Sequence, residues 1–286
     1  MQAISSFQES INGRLYLVPT PIGNLDDMTF RAIKVLREVD LIAAEDTRHT
    51  RQLLNHFEID TPMISFHEHN TEQRIPQLLE RLNHGESIAQ CSDAGMPSIS
   101  DPGKELVAAC VQANIPVIPL PGANAGLTAL IASGLVPQPF YFYGFLERKT
   151  SLQQETLTAL KERQETIIFY EAPHRLAKTL QNMVAVIGPE RSVVLARELT
   201  KRYEEFIRGS LAEVLAWAQT DQVRGEFVIL LAGNSGDDKS SEMTEDPIEQ
   251  IKHLIDQGEK VNTAIKLVAK KRGLNRQALY REFHNL

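Results

Sequence analysis

Three polar segments carry side chains able to hold or move a proton: Glu45-Asp46-Thr47-Arg48-His49, Glu171-Ala172-Pro173-His174-Arg175 and Arg197-Glu198-Leu199-Thr200-Lys201-Arg202. Each sets a carboxylate within a few residues of a guanidinium, and two add an imidazole. That combination serves general acid–base work or the gripping of an anionic substrate. The same residue types also cap helices and pair on surfaces: Asp46 or Thr47 suits the first turn of a helix near 48, and Glu198 suits a pair with Arg202. On residue type alone the two readings weigh equally. His67-Glu68-His69 is the only local histidine cluster. It lacks the H-E-x-x-H spacing, so it reads as a strand-end loop and no metal is expected. Cys91 and Cys110, the only cysteines, sit among small or apolar residues, as buried thiols of a reduced compartment do.

Phosphate-cradling signatures are missing. There is no G-x-x-x-x-G-K-[ST], and no G-x-G-x-x-G follows the first strand, which disfavours a P-loop and the usual dinucleotide site. Three other constrained loops stand in their place. In Pro19-Thr20-Pro21-Ile22-Gly23-Asn24-Leu25, two prolines fix a turn and the glycine lets backbone approach a ligand. The segment 91–103 holds two glycines, two prolines, two aspartates and three serines, too many constrained and polar positions for a core. Within it Asp93 is placed to accept hydrogen bonds from a ligand ammonium or ribose, and Asp101 to cap the helix that follows. Pro119-Leu120-Pro121-Gly122-Ala123-Asn124-Ala125-Gly126 opens a helix whose first N–H groups are free for a ligand.

The elements that must position these loops follow from periodicity. Short apolar runs at 15–18, 41–44, 63–66, 87–91 and 116–120 read as strands, separated by helical patterns at 29–39, 47–57, 72–83, 104–113 and 125–133. Asp26 and Asp27 are candidate caps for the first helix. Strand–helix alternation of this kind means right-handed crossovers and a mostly parallel sheet, with all three loops at its carboxyl edge. A second α/β region starts near 139, with strands at 140–143, 167–170, 193–196, 204–208 and 226–231 and helices at 151–164 and 174–186; two adjacent strands joined by a short turn predict a mixed sheet. The expected organisation is an N-terminal domain over 1–138, a second over 139–233, an acidic linker over 234–247 and a small helical module over 248–286.

The 286 residues hold 30 Lys+Arg against 37 Asp+Glu, net -7, with 42% hydrophobic residues. General disorder and a uniformly basic coat are excluded. The charge is not spread evenly, however: 248–286 has eight basic and four acidic residues. Helix, glycine-bearing turn and helix over 262–284 give the outline of a helix-turn-helix, in which Lys270, Lys271, Arg272, Arg276 and Arg281 are able to meet phosphates. The N-terminus lacks a secretory pattern and no apolar stretch approaches a membrane span, so a cytoplasmic chain without membrane attachment is expected.

The strings TPIGNLDDMTFRAIKVLREVDLIAAEDTRHTRQLL, SDAGMPSISDPG, PGANA, GFLERK, EAPHR, ARELTKRYEEF and GEFVILLAG, in this order from about Leu15 to Gly233, resemble the RsmI family of bacterial 16S rRNA (cytidine) ribose 2′-O-methyltransferases. That family has the tetrapyrrole-methylase fold. The resemblance implies two α/β domains with S-adenosylmethionine between them, a homodimer, and a cytidine of the decoding region of 16S rRNA, within the small ribosomal subunit, as methyl acceptor. It places the cofactor beside Pro21 and Gly23, on Asp93-Ala94-Gly95-Met96, at Ala123-Asn124, and near Tyr170-Glu171, Ala196-Arg197 and Gly225-Phe227. For methyl transfer the enzyme must align the acceptor oxygen and help remove its proton. Glu171 or His174 is expected to assist proton removal, while Arg48, Arg51, Arg175, Arg197 and Lys201 hold RNA phosphates. Two other readings compete: C-methylation of a corrinoid precursor on the same fold, and a non-catalytic helix-turn-helix regulator that binds nucleic acid.

Overall fold

The structure, a computed structural model, describes residues 3, 5–6, 12–220, 223–234, 246–256, 259–272 and 274–284, with the side chains of 253, 256 and 271 outside that description. The chain divides into two compact units, 1–233 and 234–286.

In the first unit, β1 (Leu15–Leu17), β2 (Leu41–Ala44), β3 (Met63–Ser65), β4 (Ile88–Cys91) and β5 (Val117–Pro119) form a sheet in the order β3-β2-β4-β1-β5. Every pairing in it is parallel. Helices cover both faces, which is why β2 and β4 are buried at every position. One face packs α1 (Phe30–Glu38) and α2 (Thr47–His56) through Leu36, Leu53 and Leu54; the other packs α3 (Thr71–Asn83) and α4 (Lys104–Gln112) through Leu78, Leu82 and Leu106. The predicted caps of α1 do other work. Asp26 and Asp27 belong to a 3-10 turn capped by Asn24, and the Thr29 hydroxyl accepts the Ala32 N–H at 3.1 Å instead.

The second sheet has the order β6-β7-β10-β8-β9, from β6 (Phe140–Phe145), β7 (Thr166–Glu171), β8 (Ser192–Arg197), β9 (Glu205–Ser210) and β10 (Phe227–Leu231). Only β6 and β7 run parallel, so the sheet is mixed as expected. One face is covered by α6 (Thr150–Leu160), α7 (Pro173–Ile187) and α8 (Leu211–Ala218). The other receives α5 (Ala125–Ser133), which leaves β5 of the first sheet and buries Ala129 and Leu130 against Ile168, Val194, Ala196, Val228 and Leu230. A helix assigned by sequence to the first region thus packs on the second sheet. α8 had no counterpart in the periodicity reading, although its start carries a full capping box between Ser210 and Glu213. Strand β6 also outruns its expected end: a bulge between Phe142 and Gly144, with Gly144 at φ 87°, carries the pairing on to Phe145.

The second unit packs α9 (Pro247–Asp256), α10 (Val261–Arg272) and α11 (Arg276–Phe283) around Ile251, Ile265, Val268 and Leu279. Asn275 caps α11 by accepting the N–H groups of Gln277 and Ala278. Residues 235–245 of the expected linker and Gly273 of the expected turn lie outside the described residues.

Candidate active site

The loops after β1, β4 and β5 meet the ends of β7, β8 and β10 around a cavity of about 540 Å³. Backbone bonds lock the first two loops together: Thr20 and Gly95 exchange N–H···O=C bonds at 3.0 Å each way, and the Thr20 hydroxyl donates to the Ser92 carbonyl at 3.1 Å. Gly95 sits at φ 78°, where an added Cβ would also press on Ile22 at 3.3 Å. The third loop is held by Asn124, whose side chain accepts the Leu127 N–H at 2.8 Å, and by Tyr170, whose hydroxyl accepts the Gly126 N–H at 3.1 Å.

Of the expected cofactor contacts, Ala94, Gly95, Met96, Asn124, Tyr170, Glu171, Ala196 and Phe227 line this cavity. Pro21, Gly23 and Asp93 do not. They border a separate cavity of about 220 Å³ with His49 and Ser92. Asp93 turns toward β2: its carboxylate accepts the Asp46 N–H at 3.0 Å, while Glu45 accepts the Asp93 N–H at 3.3 Å. Ala123 stands behind Gly95. Gly225, at φ 88°, lies against the Glu198 side chain, where a Cβ would overlap it. Gly23 is crossed by the Lys201 stem, which would come within 2.5 Å of an added Cβ.

Besides Glu171 and Glu226, the main cavity holds the carboxylate of Asp101, whose position in the sequence predicts a helix cap. Gly103 occupies the N-cap of α4, with no side-chain bond to it. Asp101 instead lines the cavity half-buried. Burial pushes its pKa up; the Ser92 hydroxyl opposes this, and the nearby Asp93 and Glu68 add to the rise. Among the described residues no ion-pair partner meets it. Burial likewise raises the pKa of Glu45, with Asp101, Asp93 and Glu68 contributing and the Asp93 N–H opposing. Two left-handed positions flank it in the structure, Ser98 at φ 69° and Gly103 at φ 139°.

Glu171 is fully enclosed, with a side chain 1% exposed. Its oxygens accept the Ala172 N–H at 2.9 Å and the Thr179 hydroxyl at 2.6 Å, and one pairs with Arg175 Nε at 3.1 Å. These three contacts hold the carboxylate in place and join the end of β7 to the start of α7. His174 is exposed and borders both the main cavity and an adjoining recess. Four of the five expected cleft cations have carboxylate partners, Arg175, Arg197 and Lys201 in the body of the unit and Arg48 at the start of α2. Arg175 also donates to the carbonyls of Leu146 and Glu147 at 2.6 and 3.3 Å. Arg197 donates to the Arg224 carbonyl at 2.7 Å and pairs with Glu205 at 3.2 Å. Lys201 bridges Glu198 and Glu226 at 2.9 Å each. Partial burial lowers the Lys201 pKa, but those two carboxylates outweigh it and the net shift is upward. Glu198 therefore pairs with Lys201 rather than Arg202. Arg48 and Arg51 are exposed on α2; Arg48 pairs with Asp46, the α2 cap. In the second unit Lys270, Arg276 and Arg281 are exposed and Arg272 is partly buried; the side chain of the expected contact Lys271 lies outside the described residues.

His67 and Asn70 staple the turn after β3, Nε2 to Nδ2 at 3.2 Å, and among the described residues no group of His, Cys, Asp and Glu could hold a metal. Both cysteine thiols are free, pushed up to about 12 by burial. No described helix is long and apolar enough to cross a membrane.

Two outcomes follow from the carboxylates. Glu171→Gln should lower the unfolding free energy by about 3 kcal/mol, because it breaks a buried pair from one side; urea denaturation measures this. Asp101 has a raised folded-state pKa, so its deprotonation burdens the ligand-free protein as pH climbs from the unfolded value through the folded one. Asp101→Asn should therefore raise the thermal midpoint of the ligand-free protein at pH 7 relative to wild type and narrow that difference toward pH 4, as calorimetry at the two pH values would show.

Residues 14–215 match the tetrapyrrole (corrin/porphyrin) methylases. The chain is 51% identical over 286 residues to ribosomal RNA small subunit methyltransferase I of Bacillus subtilis (strain 168), covering 97% of this chain and 98% of that one. It is 52% identical over 289 residues to the protein of the same name from Streptococcus pyogenes serotype M1, with 100% of both chains covered. A crystal structure of uroporphyrin-III C-methyltransferase from Thermus thermophilus, complexed with S-adenosyl homocysteine, has the same fold at TM-score 0.53 and 18% identity, over 76% of this chain and 97% of that one. With the cavity between a parallel and a mixed sheet and similarity along the whole chain, this protein belongs to the tetrapyrrole methylases and, among them, to the ribosomal RNA small subunit methyltransferase I family.

Proposed function

We propose that the chain methylates the ribose 2′-oxygen of a cytidine in the decoding region of 16S rRNA, using S-adenosylmethionine. The observation that carries the reading is the cavity: mostly apolar walls, with the half-buried carboxylate of Asp101 lacking a cation among the described residues. A ligand with a flat heterocycle and positive charge satisfies both features. When bound, S-adenosylmethionine supplies a methyl group already activated on a sulfonium. Asp101 holds the positive end, and Met96, Ala196 and Phe227 shape the apolar slot. Ala94, Gly95, Ala123 and Asn124 bring backbone close to it. Pro21, Gly23, Asp93 and Gly225 set the loops from behind. The choice of RNA as acceptor draws on the full-length relatives named for small-subunit rRNA.

In this reading 1–138 and 139–233 act as two domains flanking the cavity. His174, exposed where the cavity opens, takes the proton from the 2′-hydroxyl. Glu171 acts through position alone, by fixing the start of α7. Arg48 and Arg51 on α2 and the cations of α10 and α11 (Lys270, Arg272, Arg276 and Arg281) meet phosphates. Arg175, Arg197 and Lys201 hold the frame. The partner is the small ribosomal subunit in the cytoplasm. A homodimer draws on the exposed apolar residues Ile131 (81%), Val136 (67%) and Phe140 (41%) that follow one another from α5 into β6.

Mapping of 16S rRNA ribose methylation by mass in cells with and without this chain tests the reading; an unchanged decoding-region cytidine refutes it, and transfer to a corrinoid precursor instead of RNA would redirect it. His174→Ala should cut the single-turnover rate at saturating RNA by about 100-fold or more. Asp101→Asn should weaken S-adenosylmethionine binding by about tenfold or more in calorimetry, the loss expected for a hydrogen bond to a charged group. Truncation after Gly233 should weaken rRNA binding and flatten its salt dependence while sparing cofactor affinity, as titrations at two salt concentrations would show.

A further inference from the structure

We propose that Phe145 is the platform on which the acceptor nucleotide's base stacks while its ribose enters the cavity; this rests on the RNA-methylating reading above. The main cavity adjoins a recess of about 400 Å³, and the two share Phe145, Ala172 and His174. A ribose that is to reach the cavity must leave the stack of its RNA, and its base then needs a new aromatic face.

The backbone turns Phe145 toward that role. Side chains alternate along β6: Tyr141 and Tyr143 pack on the face covered by α6 and α7, and Phe142 on the opposite face with α5 and Tyr170. Unbroken alternation would send Phe145 after Tyr143, toward the helices. The bulge at Gly144 shifts the register, so Phe145 pairs with Tyr170 and makes a T-shaped contact with it at 5.6 Å and 67°. The ring is braced on one side and still 54% exposed. Half an aromatic ring left in water forgoes on the order of 1 kcal/mol of burial, whereas stacking of a base on such a ring is worth about 1–3 kcal/mol.

The surroundings suit a nucleotide. Arg148, on the wall of the recess, and the neighbouring Lys149 are exposed cations next to the platform. The segment behind Phe145 is anchored, since Arg175 holds the carbonyls of Leu146 and Glu147. Phe140, the exposed aromatic grouped with Ile131 and Val136, lies at the far end of the same strand, roughly 15 Å away by strand rise. A subunit contact at that end does not account for exposure at this one.

The test uses the full-length protein, S-adenosylmethionine and small ribosomal subunits from cells lacking this methylation. Phe145→Leu keeps an apolar side chain but removes the flat face. It should lower kcat/KM for subunits about tenfold or more, with S-adenosylmethionine affinity within about threefold of wild type and an unchanged mass by light scattering; Phe145→Trp should restore most of the loss. The proposal is overturned if Phe145→Leu matches wild type, if Phe145→Trp is as slow as Phe145→Leu, if cofactor affinity falls in parallel, or if the assembly changes mass, which would assign Phe145 to a contact between copies. Wild-type protein that transfers no methyl to the subunits would refute the functional reading itself and this proposal with it, an outcome visible before any variant is compared.

Discussion

The cavity exists because α5 is shared between two sheets. Its first residues close the loop after β5, while its body buries Ala129 and Leu130 on β7, β8 and β10. A fully buried leucine contributes about 2 kcal/mol, so pulling the sheets apart would expose apolar surface on both sides of the helix. The Tyr170 hydroxyl, bonded to the Gly126 N–H, couples the same helix to β7. Three loops on one sheet and three strand ends on the other therefore share one helix as their spacer.

Within that frame the charged groups divide by whether they are satisfied internally. Glu171, Arg175, Arg197 and Lys201 have partners in the chain and maintain shape. Asp101 is left half-buried with a raised pKa, an arrangement that costs stability in the ligand-free protein. Asp26, Asp27, Glu38 and Glu58 lie on the surface of the first unit, as do Arg48 and Arg51 of α2, so its net negative charge does not exclude exposed cations.

Much of this was legible in the chain itself. Strand β2 is a short apolar run bounded by acidic residues, and the loops after β1, β4 and β5 carry their own prolines and glycines. Asp101 was misread because its role depends on the turn of 98–103 against β4, a long-range arrangement involving the buried Gln90, which bonds the Pro102 carbonyl at 2.7 Å. Glu171 looked like a base because local sequence shows its proximity to His174 but not its enclosure by Thr179, two helical turns later. Phe145 was lost for a third reason: a bulge changes which face a residue occupies, and period-two patterns carry no mark of it. The start of α8 was different, since its Ser210-to-Glu213 spacing is a local signal that was there to be used.

Gly23 gives the contact between the two sheets a grain finer than any single loop. The hairpin between β8 and β9 lays the Lys201 stem directly over it, with the Thr200 hydroxyl 3.0 Å from where a Cβ would stand. The gap between the first sheet's leading loop and the second sheet's hairpin is thus set by the width of one hydrogen atom. Any side chain at this position would have to push the hairpin away from the loop, a local displacement that leaves both cores untouched.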